Sequence, residues 1–369
     1  MSHSRMNRIV MIAMTAIVVL SITNVGASAQ EQITLNGAGS TFDNPLFSKA
    51  FSEYTNSTPS VRVNYQSVGS GAGIKQLTEK TVDFGATDAP MTDEQLQAAG
   101  GPDAIVHVPV TLGAVALAYN LPSLQQPLQL DGATPVDLFL GKITSWNDPA
   151  IADLNPGVQL PETPVAIVQR SDGSGTTNIF TTYLASISDD WKNQVGAGLS
   201  VSWPVGIGAK GSEGVAGQVK QVEGGITYVE LSYAEQNGLA TAAVQNSAGQ
   251  FVAPSPEGAS ACAAAAASNL PSDLRVMIAG CTGDDAAIYP ISGFSWVVLY
   301  EEQSDATRGQ ALVNVLNWLI HDGQQYGTPL SYATLPPTVV DRATQVLGTV
   351  TANGQPLLAA TPSVATPPA

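Results

Sequence analysis

The chain has 369 residues and a formal charge of −16, with only 12% charged residues but 35 Gly and 24 Pro. So acidic a chain repels nucleic acid and anionic membrane surfaces, and neither is expected as a partner. Its length exceeds what one hydrophobic core usually serves, which favours two domains joined by many tight turns.

The first segment is "MSHSRMNRIVMIAMTAIVVLSITNVGASAQ", with Arg5 and Arg8, an apolar run from Ile9 to Ile22, and then Ala27-Ser28-Ala29. That order predicts a secretory leader over residues 1–29, cleaved after about Ala29, because the apolar run falls short of the roughly 20 residues a spanning helix needs. No Cys follows the run to carry a lipid anchor. Loss of Arg5 and Arg8, with no acid removed, takes the charge from −16 to −18 in an exported, soluble chain.

Strand-like runs and helical stretches then alternate, which argues an α/β fold. "TFDNPLFSKAFSEYTN" places Phe42, Leu46, Phe47, Ala50, Phe51 and Tyr54 at helical spacing. "VRVNYQSVG", "VDFGATDA", "IVHVPVTLGAVALAYN", "TPVAIVQRS", "GGITYVEL" and "GFSWVVLYE" read as strands, and "GQALVNVLNWLIHDGQQYG" as a second long helix. Ile105 to Tyr119 and Ile288 to Tyr300 each contain a Pro that interrupts strand pairing, and suit either hinges between two lobes or ordinary strands of one sheet. The hinge reading gives one lobe from residues 30–108 with 289–350 and a second from 109–288. Cys262 and Cys281, in an exported chain with no other Cys, predict one disulfide worth ~3 kcal/mol. The Pro-rich, uncharged end, residues 351–369, is expected to be a flexible tail.

Enzyme signatures are weak. Apart from His3 in the leader, the histidines are His107, inside an apolar strand, and His321, near a helix end, and no G-x-S-x-G elbow accompanies them. No zinc ligand set or Walker motif occurs, and "GIGAKG", Gly206 to Gly211, is expected to be a glycine-rich turn. What recurs is a strand ending in glycine and hydroxyl residues just before a helix. It occurs at Gly39-Ser40-Thr41, at Gly69-Ser70 and at Ser174-Gly175-Thr176. Any one is the normal capping chemistry, but three together offer free backbone N–H groups and hydroxyls to a shared oxyanion.

Arg170 supplies a planar fork for two oxygens of such an anion, and Asp172 either orients it or forms a surface pair with it. Asp88, in "VDFGATDAPMTDEQL", is either a turn residue before the Thr92-to-Gln95 capping box or an acceptor inside a donor-lined pocket. As an acceptor it would favour phosphate, which keeps an O–H at neutral pH, over sulfate, which has none.

Taken together, "LNGAGSTF", "YQSVGSGAGIKQL", "TVDFGATDAPM", "LGKITSWNDPAIADLNPG", "RSDGSGTTNIFTTYL" and "WPVGIGAKGSEGVAG" resemble, in order and spacing, the phosphate-binding proteins of the high-affinity phosphate ABC importer. The resemblance implies a type II periplasmic binding protein fold: two lobes, each a mixed sheet flanked by helices, joined by two hinge strands. It also implies a periplasmic monomer without cofactor or metal that binds inorganic phosphate and delivers it to a membrane ABC permease. Carried over by motif, Thr41, the Phe42 backbone N–H, Ser70, Asp88, Arg170, Ser174, Gly175 and Thr176 would touch the anion, and Asp172 would pair with Arg170. The alternatives are a secreted phosphoesterase and a binder of another tetrahedral oxyanion such as sulfate. This chain departs from the family at Gly71 and Ala72, and at Asp43, where many members have Pro. Asp43 is expected either to point outward and favour the helix dipole or to point inward and weaken anion binding.

Overall fold

The computed structural model describes residues 32–267 and 270–358, so the leader expected at 1–29 and the end of the tail lie outside it. β1 (Ile33–Gly39) leads into α1 (Asn44–Ser57), β2 (Val61–Ser67) into α2 (Ser70–Thr78), and β3 (Phe84–Thr87) into α3 (Asp93–Ala98), ahead of the long β4 (Ile105–Tyr119). The middle of the chain continues with β5 (Gln129–Leu130), α4 (Ala133–Phe139), α5 (Pro149–Ala152), β6 (Ala166–Arg170), α6 (Gly175–Ile187) and α7 (Asp189–Gln194). Next come β7 (Ile207–Ala209), α8 (Gly211–Gln221), β8 (Gly225–Glu230), α9 (Leu231–Asn237), β9 (Ala240–Thr241), β10 (Ala243–Gln245), β11 (Phe251–Val252) and α10 (Pro256–Ala266). The last elements are β12 (Ser292–Tyr300), α11 (Ala306–Ile320), α12 (Pro337–Leu347) and the hairpin β13 (Thr351–Ala352) and β14 (Gln355–Pro356).

α1 shows why these residues take these forms. Leu46, Phe47, Ala50, Phe51 and Tyr54 fall on one buried face, and Pro45 in the first turn has its φ already set for a helix. The main sheet runs β2-β1-β3-β12-β4-β8-β6-β7, with β9 on β4. β1 is parallel to β2 and β3 at one end, and β6 is parallel to β7 and β8 at the other. Between them lie the antiparallel β12 and β4. β4 serves both groups: Ile105 to Ala114 pair with β12, and Val115 to Tyr119 pair with β8.

The loops that leave the carboxyl ends of β1, β2, β6 and β7 each start a helix. Within each parallel group the carboxyl ends point the same way, which is where open α/β sheets place ligands, and the three antiparallel pairings between the groups set β6 and β7 running opposite to β1 and β2. All the strands and both long helices expected from the sequence are present. The fold is the type II two-lobed periplasmic binding protein fold, a curled mixed sheet with flanking helices.

Four expectations are corrected. Pro109 does not interrupt β4; it sits opposite Trp296 beside the register shift between Ser295 and Trp296, and that bulge accommodates its missing N–H. Pro290 lies just ahead of β12 rather than within it. "GIGAKG" is not merely a turn, since it forms β7 and opens α8 at Gly211. Residues 351–358 of the expected tail are folded: Asn353 and Gly354, with φ of 53° and 70°, turn a hairpin, and the Thr351 N–H donates to Glu301 O at 2.8 Å. An Asn-Gly pair is the standard residue choice for such a turn, and it was present in the sequence.

Cys262 and Cys281 are bonded, with Cα atoms 5.6 Å apart. The bond secures a segment whose Leu274 carbonyl accepts from the buried Trp296 indole at 3.1 Å. His107 is a satisfied core residue: its Nε2 accepts from the Met91 N–H at 3.1 Å, and burial, then the charge of Arg275, pushes it down to about 3. His321 closes α11, with Nδ1 2.7 Å from Asn317 O. Among the described residues no group of acids, Cys and His could hold a metal ion, and no helix is long and apolar enough to cross a membrane.

Candidate functional site

The three glycine-hydroxyl starts converge. Ser70, at the start of α2, accepts at its Oγ from the Gly175 N–H at 3.1 Å and from the Asp88 N–H at 3.4 Å. Ser174 caps α6, accepting from the Thr177 N–H at 3.1 Å. Ser70, Ser174, Thr41 and Thr176 are all at most 2% exposed. A hydroxyl that accepts still has a proton to give, so Ser70 and Ser174 each retain a donor beside α2 and α6, at whose N-termini the helix dipoles favour negative charge.

The loop that follows β1 is held by three tyrosines from separate elements. Tyr65 donates to Ser40 O at 2.7 Å, Tyr233 to Thr41 O at 2.8 Å and Tyr332 to Phe42 O at 2.5 Å. In a trans peptide the N–H points away from the carbonyl of the same plane, so these bonds fix the directions of the Thr41, Phe42 and Asp43 N–H groups. The Phe42 N–H donates to Ser40 Oγ at 3.0 Å.

Arg170 ends β6 and is 5% exposed. Its Nε donates to Asp172 Oδ1 at 2.8 Å and its Nη2 to Asp172 Oδ2 at 2.6 Å, while Nη1 donates to Ser212 Oγ at 3.3 Å. This is a bidentate pair between a buried guanidinium and a partly buried carboxylate, not a surface contact. Three of the five guanidinium N–H groups are thus used, and two remain for a ligand. Burial works to raise the Asp172 carboxyl, but the bonds and charge of Arg170 and the Gly211 N–H outweigh it and hold Asp172 below the ordinary range.

Asp88 follows β3 and is 1% exposed. Oδ1 accepts from Ser40 at 2.5 Å and from Ser295 at 2.8 Å, and Oδ2 accepts only a long 3.5 Å contact from Thr176. One side of the carboxyl is anchored and the other faces the Thr176 start of α6. Burial pushes Asp88 up to about 6 against the pull of Ser40, Ser295, Arg170 and Thr176. The Thr92–Gln95 capping box forms as well, so Asp88 has that turn beside it and is not consumed by it. Gly175 must be glycine, because a Cβ there would lie 2.5 Å from Asp88 Cβ and 2.6 Å from its N.

Every residue expected to touch an anion therefore lies in one buried cluster, with Asp172 on Arg170. Four further residues were not assigned to it from the sequence. Ser212, opening α8, contacts Thr41 Oγ1 at 2.7 Å as well as Arg170. Its signal was a fourth glycine-hydroxyl helix start, "KGSEG", hidden by reading "GIGAKG" as a turn. Ser40 was quoted only as part of a motif, and Ser295 had no local signal. Asp43, the fourth, takes the inward of its two expected orientations: it makes no capping bond, is fully buried, and accepts from Ser295 Oγ at 2.6 Å. Gly71, the other departure, donates its N–H to Gly173 O at 2.9 Å, a close approach in which a Cβ on Gly71 would lie 3.2 Å from Gly173 Cα.

Comparison with known proteins places the chain in a family. The PBP superfamily domain model matches residues 24–322. The phosphate-binding protein PstS of Xylella fastidiosa is 41% identical over 321 residues, covering 87% of this chain and 86% of that protein. That of Haemophilus influenzae is 42% identical over 308 residues, covering 83% and 90%. Among solved structures, the high affinity periplasmic phosphate-binding protein PfluDING superposes with a TM-score of 0.68 at 21% identity, covering 88% of this chain and 100% of that one. A phosphate-binding protein from Stenotrophomonas maltophilia gives 0.62 at 17% identity, over 85% and 93%. The chain belongs to the PstS family of phosphate-binding proteins, within the PBP superfamily.

Proposed function

We propose that this protein is exported to the periplasm, binds inorganic phosphate in a cleft between two lobes, and delivers it to a membrane ABC permease without chemistry on the ligand. The observation that carries the reading is a single carboxylate face, Asp88 Oδ2, among donors from Ser70, Ser174, Thr176 and Arg170. The donors neutralise a tetrahedral oxyanion, and the acceptor requires that the anion bring a proton. Sulfate would leave that acceptor facing it unpaired, which costs several kcal/mol in a dry site. Thr41, the Phe42 N–H and the Gly175 N–H complete the set, their present contacts with Ser212, Ser40 and Ser70 being exchangeable for anion oxygens.

For closure, residues 30–108 with 289–350 form one lobe and 109–288 the other, hinged about β4 and β12. Bonds between the two sets, Gly71 with Gly173 and Tyr233 with Thr41, are those that closure would make. Calorimetric titration of the mature protein with phosphate and then sulfate tests the reading. Tight phosphate binding and weak sulfate binding are expected; no heat with phosphate, or equal affinity for the two, overturns it.

A further inference from the structure

Ser295 lies on β12 between two buried carboxyls. Its Oγ is 2.6 Å from Asp43 Oδ2 and 2.8 Å from Asp88 Oδ1, with Thr87 O at 3.2 Å. A serine hydroxyl has one proton, so it can donate to only one of those oxygens. The other short contact, between two oxygens that both need a donor, demands a proton from the carboxyl itself. The tally at Asp88 says which. Asp88 Oδ1 already receives Ser40, and its Oδ2 has the Thr176 hydroxyl. Among the described residues Asp43 has no donor but Ser295, and its Oδ1 is buried with no partner.

The surroundings reinforce the asymmetry. Asp88 feels the charge of Arg170, the one cation in the cluster among the described residues. Among the described residues Asp43 has no cation against it: Asp88 lies after β3, Glu230 at the end of β8, and the phenols Tyr65, Tyr233 and Tyr332 bond the adjoining carbonyls, with Glu213 beyond Tyr233. Burial first and then the charge of Asp88 hold the Asp43 carboxyl well above the ordinary range, and Ser295 only partly offsets this.

We propose that Asp43, Ser295 and Asp88 form a proton-ordering chain behind the anion pocket, in which protonated Asp43 donates to Ser295 and Ser295 donates to Asp88, keeping Asp88 ionised as the acceptor that selects a protonated anion. Asp43 is thus a positioning residue that acts on the ligand through Asp88. When Asp43 loses its proton to solvent at alkaline pH, Ser295 turns its hydroxyl to Asp43. Asp88 then keeps Ser40 alone on Oδ1 and gains a second anion behind it, and the added uncompensated negative charge opposes the anion in front of it.

The inference rests on the phosphate reading. If wild-type protein shows no phosphate binding, that reading fails; if it binds and the results below are absent, only this inference fails. The first measurement is the infrared carbonyl stretch of protonated carboxyls in wild type minus Asp43→Asn near neutral pH, where loss of one component is expected even though Glu230 contributes its own. The second is phosphate affinity against pH in both proteins, taken as a ratio so that phosphate's own ionisation cancels. Wild type is expected to lose about tenfold relative to Asp43→Asn on going alkaline, the size of coupling between neighbouring acids. The third is Ser295→Ala, which severs the chain and is expected to cut discrimination against sulfate about tenfold, the worth of one hydrogen bond to a charge. An unchanged carbonyl difference, a ratio flat in pH, or wild-type discrimination in Ser295→Ala would each overturn the chain. Should Ser295→Ala not fold, as judged by its melting, the two Asp43→Asn measurements decide alone.

Discussion

Two buried charge clusters meet at the site and are handled in opposite ways. Around Arg170 the charges cancel: the guanidinium is forked onto Asp172, itself fixed by the Gly211 N–H, and every ion has a partner of the other sign. Around Asp43, Asp88 and Glu230 there is no such balance, and the acids are kept by hydroxyls, by an N–H from Ser232 to Glu230 and by raised proton affinity. The difference teaches how a chain this acidic can hold an anion. Attraction comes from one oriented cation and neutral dipoles, and selectivity comes from an acid placed where repulsion would otherwise be expected.

The comparison breaks most severely at the cation. Arg170→Ala leaves the partly buried Asp172 without its partner and removes the fork, so phosphate affinity should drop by about 2–5 kcal/mol. Arg170→Lys should recover only part of this, since a point charge cannot span Asp172 and the ligand together, and an affinity within twofold of wild type, measured by titration calorimetry, would contradict the role of the fork.

On the acid side, Asp88→Asn should relax discrimination against sulfate by about 1–3 kcal/mol, because the amide can turn a donor to an anion that has no proton. Sulfate competition against bound phosphate reads this, and unchanged selectivity would remove Asp88 from its role. The same comparison can be made in wild type by pH. With Asp88 pushed up to about 6, its carboxylate is present above that value and lost as pH falls through it, so sulfate should compete better in acid.

Gly175→Ala tests the joint between the clusters. The added methyl meets Asp88 Cβ at 2.5 Å and must push α6 or Asp88 aside, at about 1–3 kcal/mol of stability and with weaker phosphate binding. A melting temperature and affinity equal to wild type would show that the contact gives way freely.

The smallest effect is expected from Asp43→Asn on the ligand-free protein. Native Asp43 holds its proton above the ordinary 3.8, so its titration favours the folded state below that value, and this advantage is lost as pH rises toward the native value. Asn cannot ionise, so the variant should gain melting temperature over wild type with rising pH, each tenfold difference in proton affinity being worth ~1.4 kcal/mol. A difference independent of pH would mean that Asp43 is ionised when folded.

The sequence by itself determined the local pieces. Helical spacing in α1 and α11, the glycine-hydroxyl starts and the Arg170-x-Asp172 pair are set by residues close together in the chain, and each was legible because capping and periodicity act over a few positions. Ser212 was legible too, as a fourth start of the same kind, and the Asn353-Gly354 hairpin had its turn residues on display. What only the tertiary structure decided is which distant groups face one another. Ser295 lies 252 positions from Asp43 and 207 from Asp88, and no local pattern marks a serine in an apolar strand as the hydroxyl between two acids. Asp43, read along the chain, could face solvent or the anion; burial beside Ser295 of β12 took it out of solvent. Proton affinity follows burial and neighbours, and both are properties of the folded sheet, not of the segment that carries the residue.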